Sequence, residues 1–234
     1  MAPYRPQRGY ERLTSEEIRQ LRTIGMDWPT RAHTMVGIRR LDNLHACVET
    51  LLREAIPGDF VETGVWRGGA SIFVKGALVA LGDETRHVWL ADSFRGLPPS
   101  DPSSYPADKG WNLDKYEELS ISRQTVENNF RAYGLLDDRV HFLEGWFKDT
   151  MPTAPIERIA LLRLDGDLYE STIQVLEPLY DRVSEGGFIV VDDFGLTPCR
   201  AAVEDFRSAR NISDPILAID GMAVYWRKGV ATTA

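Results

Sequence analysis

From residue 59 onward, short apolar runs alternate with amphipathic stretches, the pattern of parallel strands joined by helical crossovers. Strands are predicted at "DFVETG" (59–64), "RHVWLAD" (86–92), "DRVHFLEG" (138–145), "RIALLRLD" (158–165) and "GGFIVVDD" (186–193), followed by "PILAI" and "MAVYWRK" near the end. Apolar residues at helical spacing predict helices at 69–81, 122–133, 171–184 and 198–209. Ahead of the first strand, "TSEEIRQLRTIG" opens with a Ser/Thr cap and an acidic first turn, and "MVGIRRLDNLHACVETLLREA" (35–55) keeps a helical period. The expectation is an α/β fold: a central, mostly parallel sheet of seven strands flanked by helices. A helical preface spans 1–57 and the main domain 58–234.

One stretch breaks the alternation. Residues 95–120, "RGLPPSDPSSYPADKGWNLDKYEELS", are rich in Pro, Ser and Asp but carry Tyr105, Trp111 and Tyr116. A loop of that length inside a compact domain is commonly a lid, and its aromatic residues point to something it covers.

Composition narrows the class of protein. With 234 residues, 43% hydrophobic and 26% charged, the chain suits one ordinary globular domain. Its 27 basic and 35 acidic residues leave a net charge of −8, and no Lys/Arg cluster is present, which argues against nucleic acid as a partner. The first residues lack the apolar core of a signal peptide, and no segment offers the ~18 uncharged apolar residues of a membrane span, so a cytoplasmic location is expected. Cys47 and Cys199 have no zinc or redox spacing and are read as two reduced thiols.

Candidate chemistry gathers at the strand ends. "VETGVWRGGAS" (61–71) joins a strand, a glycine turn and a helix start, so backbone N–H groups can approach a ligand. Its G-x-x-x-G-G spacing is neither the dinucleotide fingerprint nor a P-loop. Glu62 before Gly64 resembles motif I of S-adenosylmethionine-dependent methyltransferases. Asp92 ends the second strand, placed to accept hydrogen bonds from ribose hydroxyls. Gly145 and Trp146 end the third, where they could line an adenine pocket.

The fourth and fifth strands end in two aspartate pairs, Asp165/Asp167 and Asp192/Asp193. Positions two apart in an extended chain share a side, so four carboxylates converge on one rim. Their repulsion calls for a compensating cation, and oxygen-only ligands suit a hard divalent ion such as Mg²⁺. Such an ion activates an alcohol while a carboxylate removes its proton. Three aspartates could hold metal and one serve as base.

Together, "VETGVWRGGAS", "ADSFRGLP", "FLEGWFKDTMP", "LLRLDGDLYEST" and "GGFIVVDDFG" resemble the macrocin O-methyltransferase family, from about Thr34 to the terminal "AVYWRK". The resemblance implies a class I S-adenosylmethionine-dependent methyltransferase (Rossmann-like) fold and Mg²⁺-dependent methylation of a deoxysugar hydroxyl on a glycosylated natural product. The acceptor would be a small-molecule glycoside, such as a macrolide or aminocoumarin. It also implies metal ligation by Asp165, Asp192 and Asp193, with Asp167 as general base. The cofactor would be held by Glu62, Thr63, Gly64, Ser71, Asp92, Ser93, Gly145, Trp146 and Asp165, under cover of Met35 and Val36. A homodimer or higher homo-oligomer is expected. Alternatives are a catechol-type O-methyltransferase and a non-catalytic S-adenosylmethionine-binding partner protein.

Overall fold

The structure, a computed structural model, describes residues 13–25 and 31–230. Residues 1–12 and 26–30 of the expected preface, and 231–234 at the end of the main domain, lie outside them. One seven-stranded sheet holds the strands in the order β3-β2-β1-β4-β5-β7-β6. They are β1 (Asp59–Thr63), β2 (Val88–Asp92), β3 (Val140–Glu144), β4 (Ile159–Leu164), β5 (Val183–Val191), β6 (Leu217–Ala218) and β7 (Val224–Arg227). The pairs from β3 through β5 are parallel, and β7 runs antiparallel to both β5 and β6.

The helices are α1 (Ser15–Thr23), α2 (Ile38–Arg53), α3 (Gly69–Ala80), α4 (Arg123–Ala132), α5 (Phe147–Thr150), α6 (Tyr169–Leu179) and α7 (Thr197–Ala209). Both faces of the sheet are covered, which is why its central strands read as unbroken apolar runs. Phe60, Leu90 and Leu161 pack with Leu44 of α2 and Val74 of α3 on one face. Val61, Leu162 and Ile189 pack with Val175 of α6 and Phe206 of α7 on the other. Among the described residues no helix is long and apolar enough to cross a membrane.

Three elements differ in their bounds from those predicted. α6 stops at Leu179 rather than 184, where Tyr180–Arg182 tighten into a 3₁₀ turn. β5 then starts at Val183, so Gly186 and Gly187 lie within the strand instead of opening it. Their place coincides with a shift in pairing register against β4, between Ile159 and Leu161. The predicted strand "PILAI" shrinks to Leu217–Ala218 at the sheet edge.

The long loop is more firmly held than its composition suggests. Three short 3₁₀ turns, Pro106–Asp108, Leu113–Lys115 and Glu117–Leu119, order its second half. Asp108 and Leu113 are buried, and the Glu118 carbonyl accepts the Trp66 indole N–H at 2.9 Å.

This topology decides where a ligand sits. From β1 the chain builds outward through β2 to β3, then returns so that β4 pairs on the other side of β1. The strand ends part at this reversal, leaving a crevice beyond the carboxyl ends of β1 and β4.

Candidate active site

The glycine turn after β1 is shaped by close backbone approach. Gly64 has φ +88°, and a Cβ there would collide with the Asp165 carbonyl oxygen, so only glycine lets the ends of β1 and β4 lie this close. The N-terminus of α3 is partly occupied by the chain itself, because Gly69 N–H donates to the His33 carbonyl at 2.8 Å. The expectation that this helix start is free for a ligand therefore holds only for part of the turn. The segment before α2 is instead strapped across it.

Next to this turn lies a cavity of about 420 Å³, within the size range of small-molecule sites. Of the expected cofactor residues, Met35, Gly64, Asp92, Ser93, Gly145, Trp146 and Asp165 line it, and so does Asp167. The loop stretch from Gly96 to Asp101 and Leu119 form its outer wall. A smaller recess of about 70 Å³ adjoins it through Met35, Trp66 and Asp165, and contains Val36, Glu62, Asp192 and Asp193. Thr63 and Ser71 line neither space. Thr63 is buried with its hydroxyl on the Arg163 carbonyl, and the Ser71 hydroxyl donates to the Glu62 carboxylate.

Asp92 does more than face a ligand. Its carboxylate accepts the backbone N–H groups of Val65 and Phe94, each at 2.7 Å, and so ties the glycine turn to the end of β2. The Ser93 hydroxyl also donates to Asp92 Oδ1, at 3.5 Å, and the carboxylate lines the cavity. Burial raises its pKa against the lowering effect of those backbone bonds.

The four aspartates converge as their spacing predicts. Asp165, Asp192 and Asp193 each offer an oxygen, and these atoms lie within 4.8 Å of one another. Asp167 sits beside them in the left-handed region, φ +60°, its N–H donating to Asp193 Oδ2 at 3.1 Å. Two arginines enter this acidic group. Arg163, 1% exposed, pairs with Glu62 at 2.5 Å, Asp192 at 2.6 Å and Asp165 at 2.8 Å. Arg40 of α2 pairs with Asp192 at 2.5 Å and with Asp220, in the turn before β7, at 2.7 Å.

Charge sorts the carboxylates. Burial raises the pKa of Asp192, but Arg163 and Arg40 more than offset it and hold the group below its ordinary value. Burial raises Asp193, and the charges of Asp167, Asp165 and Asp192 push it further up, well above the usual carboxylate range. Burial also raises Glu62, to about 7, against the pull of Arg163 and Ser71. Six carboxylates, Asp220 included, thus face two guanidinium groups, an imbalance that a divalent cation would correct.

The profile of the TylF macrocin-O-methyltransferase family matches residues 4–228. The chain belongs to this family. It is an enzyme of the S-adenosylmethionine-dependent methyltransferase class.

Among curated relatives, the tetracenomycin-C rhamnosyl 4'-O-methyltransferase of Streptomyces olivaceus is 54% identical, over 90% of this chain and 81% of its own length. Mycinamicin III 3''-O-methyltransferase of Micromonospora griseorubida is 52% identical, over 90% of this chain and 84% of its own. The solved structure of the O-methyltransferase NovP superposes with a TM-score of 0.88 at 48% identity, covering 90% of this chain and 88% of that one. The calicheamicin methyltransferase CalS11, at 18% identity and a TM-score of 0.68, shares the fold.

Membership of the family does not by itself bring out Arg163, Arg40 or Asp108. Arg163 had a signal, since it is the lone charge inside "IALLRL", and a charge in a fully buried strand requires partners. Arg40 lies on a polar-looking turn of α2, and nothing local marks it. Replacing Arg163 with Met should cost about 3–5 kcal/mol, because removing one partner of a buried ion cluster strands the others. Urea unfolding of the metal-free protein measures this.

Proposed function

We propose that the enzyme transfers a methyl group from S-adenosylmethionine to a deoxysugar hydroxyl of a glycosylated natural product, with a divalent cation such as Mg²⁺ at the aspartate cluster. The carrying observation is the meeting of two aspartate pairs where the cavity beside the glycine turn adjoins the smaller recess. The two curated relatives named above carry in their names a rhamnosyl tetracenomycin and mycinamicin III, and a third, the demethyldecarbamoylnovobiocin O-methyltransferase of Streptomyces niveus, is 49% identical over 89% of this chain and 80% of its own, which supports a glycoside acceptor here.

The residues fit both groups. The cavity is large enough for the cofactor, with a side-chain-free backbone at Gly64 and an acidic residue, Asp92, at its edge. Asp165, Asp192 and Asp193 form an oxygen-only donor set of the kind that suits a hard divalent ion. When bound, S-adenosylmethionine would supply the electrophilic methyl, and the cation would acidify a coordinated hydroxyl.

The chain's own residues do the rest. Asp167 accepts the hydroxyl proton, its carboxylate becoming a carboxylic acid as the oxygen attacks. Arg163 and Arg40 grip Asp192 from two sides and prevent its carboxylate from turning away. The loop residues Gly96, Leu97, Pro98, Pro99 and Asp101 wall the cavity on one side. A homodimer and a cytoplasmic location belong to the same reading, carried by the sequence rather than by contacts within one chain.

The test is methyl transfer from labelled S-adenosylmethionine to mycinamicin III, demethyldecarbamoylnovobiocin and the demethyl tetracenomycin glycoside, with caffeate as the catechol comparison. Transfer to at least one glycoside and none to caffeate is expected. The reverse would establish the catechol reading, and cofactor binding without any transfer would favour a non-catalytic role.

A further inference from the structure

Helix α6 begins two residues after Asp167 and lacks a cap of its own. Its N-cap residue is Leu168, which has no side-chain oxygen, and no side chain of the first turn closes the helix locally. The free amides of Tyr169 and Glu170 are instead taken by Asp108, whose carboxylate accepts them at 2.7 and 3.0 Å. Asp108 comes from the middle of the long loop, 61 residues earlier in the chain, and its side chain is fully buried, at 0% exposure. The Tyr105 ring lies 6.1 Å from that of Tyr169, on the same seam.

What lies just before this cap is strained. Leu168 N–H bonds to the Gly166 carbonyl at 2.6 Å, closing a three-residue turn around Asp167 with its φ of +60°. A turn of this size with positive φ at a non-glycine centre is rare and persists only where its surroundings over-determine it. Asp193 holds one side, accepting the Asp167 N–H. Asp108 holds the other, by fixing the helix start to which the turn leads.

We propose that Asp108 is a positioning residue for Asp167: by capping α6 from the long loop it holds the strained turn in place and couples the loop's seating to the aim of the base. The inference rests on Asp167 acting as the base. A cap with a purely structural role would change stability alone, whereas this one changes the chemical step.

Asp108→Ala, Asp108→Asn, Asp167→Asn and Val203→Ala are compared, the last removing two methyl groups from the α7 core, where Val203 is 0% exposed. Asp108→Ala is expected to lower kcat at least tenfold while the Kd for S-adenosylmethionine stays within twofold. Asp108→Asn should recover part of the loss, since its amide oxygen can still accept. Val203→Ala should keep kcat despite a lower Tm. Amide hydrogen exchange, which needs no acceptor substrate, should speed up at Tyr169 and Glu170 in Asp108→Ala and not in Val203→Ala. A kcat within twofold of wild type, unchanged exchange, or a cofactor affinity that falls in step with kcat would overturn the proposal. Failure of the base assignment would be seen separately, as turnover retained by Asp167→Asn.

Discussion

Asp167→Asn is expected to lower kcat by roughly 10²–10⁴-fold, the contribution of a positioned general base, while leaving cofactor affinity nearly unchanged. The substitution keeps size and the backbone bond to Asp193, because that bond uses the Asp167 N–H and not its side chain. What it removes is proton affinity. An amide cannot take the hydroxyl proton, so the loss should fall on kcat rather than on the KM for S-adenosylmethionine. Turnover measured alongside calorimetric titration of the cofactor checks both halves. A large fall in cofactor affinity would instead place Asp167 in binding.

Stripping divalent cations with a chelator should reduce transfer by more than about 10³-fold, since Lewis-acid activation contributes several kcal/mol to such a step, and Mg²⁺ should restore it. Asp193→Asn should resist that restoration. It should also show an effect of opposite sign on stability. Asp193 is buried among Asp165, Asp167 and Asp192, whose charges raise its pKa well above the usual range, so its ionised form is a liability without a cation. Metal-free Asp193→Asn should therefore unfold at a temperature no lower than metal-free wild type, while added Mg²⁺ should raise the Tm of wild type alone. Stabilisation by bound ion follows from mass action. Equal stabilisation of both proteins would remove Asp193 from the ligand set.

Several features could be read directly from the residues. Hydrophobic periodicity located the five strands that build the parallel part of the sheet, because strands buried on both faces must be apolar throughout. The two aspartate pairs were legible for the complementary reason: charges are conspicuous at the ends of such runs. Element boundaries were less so. Gly186 and Gly187 read as the opening of a strand but lie within β5, which starts at Val183, since a register shift against β4 accommodates them there.

Other parts of the site had no local signature. Arg40 and Asp192 are separated by 152 residues, and nothing near Arg40 distinguishes its guanidinium from one facing water. Asp108 lies among Pro, Ser and Asp residues that describe a solvated loop, yet it is buried at the start of α6. Conversely, Ser71 and Thr63 match the cofactor motif but spend their hydroxyls on Glu62 and the Arg163 carbonyl.

By itself, the order of apolar and polar residues determined the strand and helix sequence, the glycine turn, and the gathering of four carboxylates at neighbouring strand ends. Those depend on local periodicity and on the rule that parallel strands present their carboxyl ends on one side. The tertiary structure alone decided which cations oppose those carboxylates, and that a loop aspartate caps the helix behind the proposed base. Buried charges and open helix ends take whatever partner folding brings within hydrogen-bond reach, and that partner's place in the chain is not constrained by spacing.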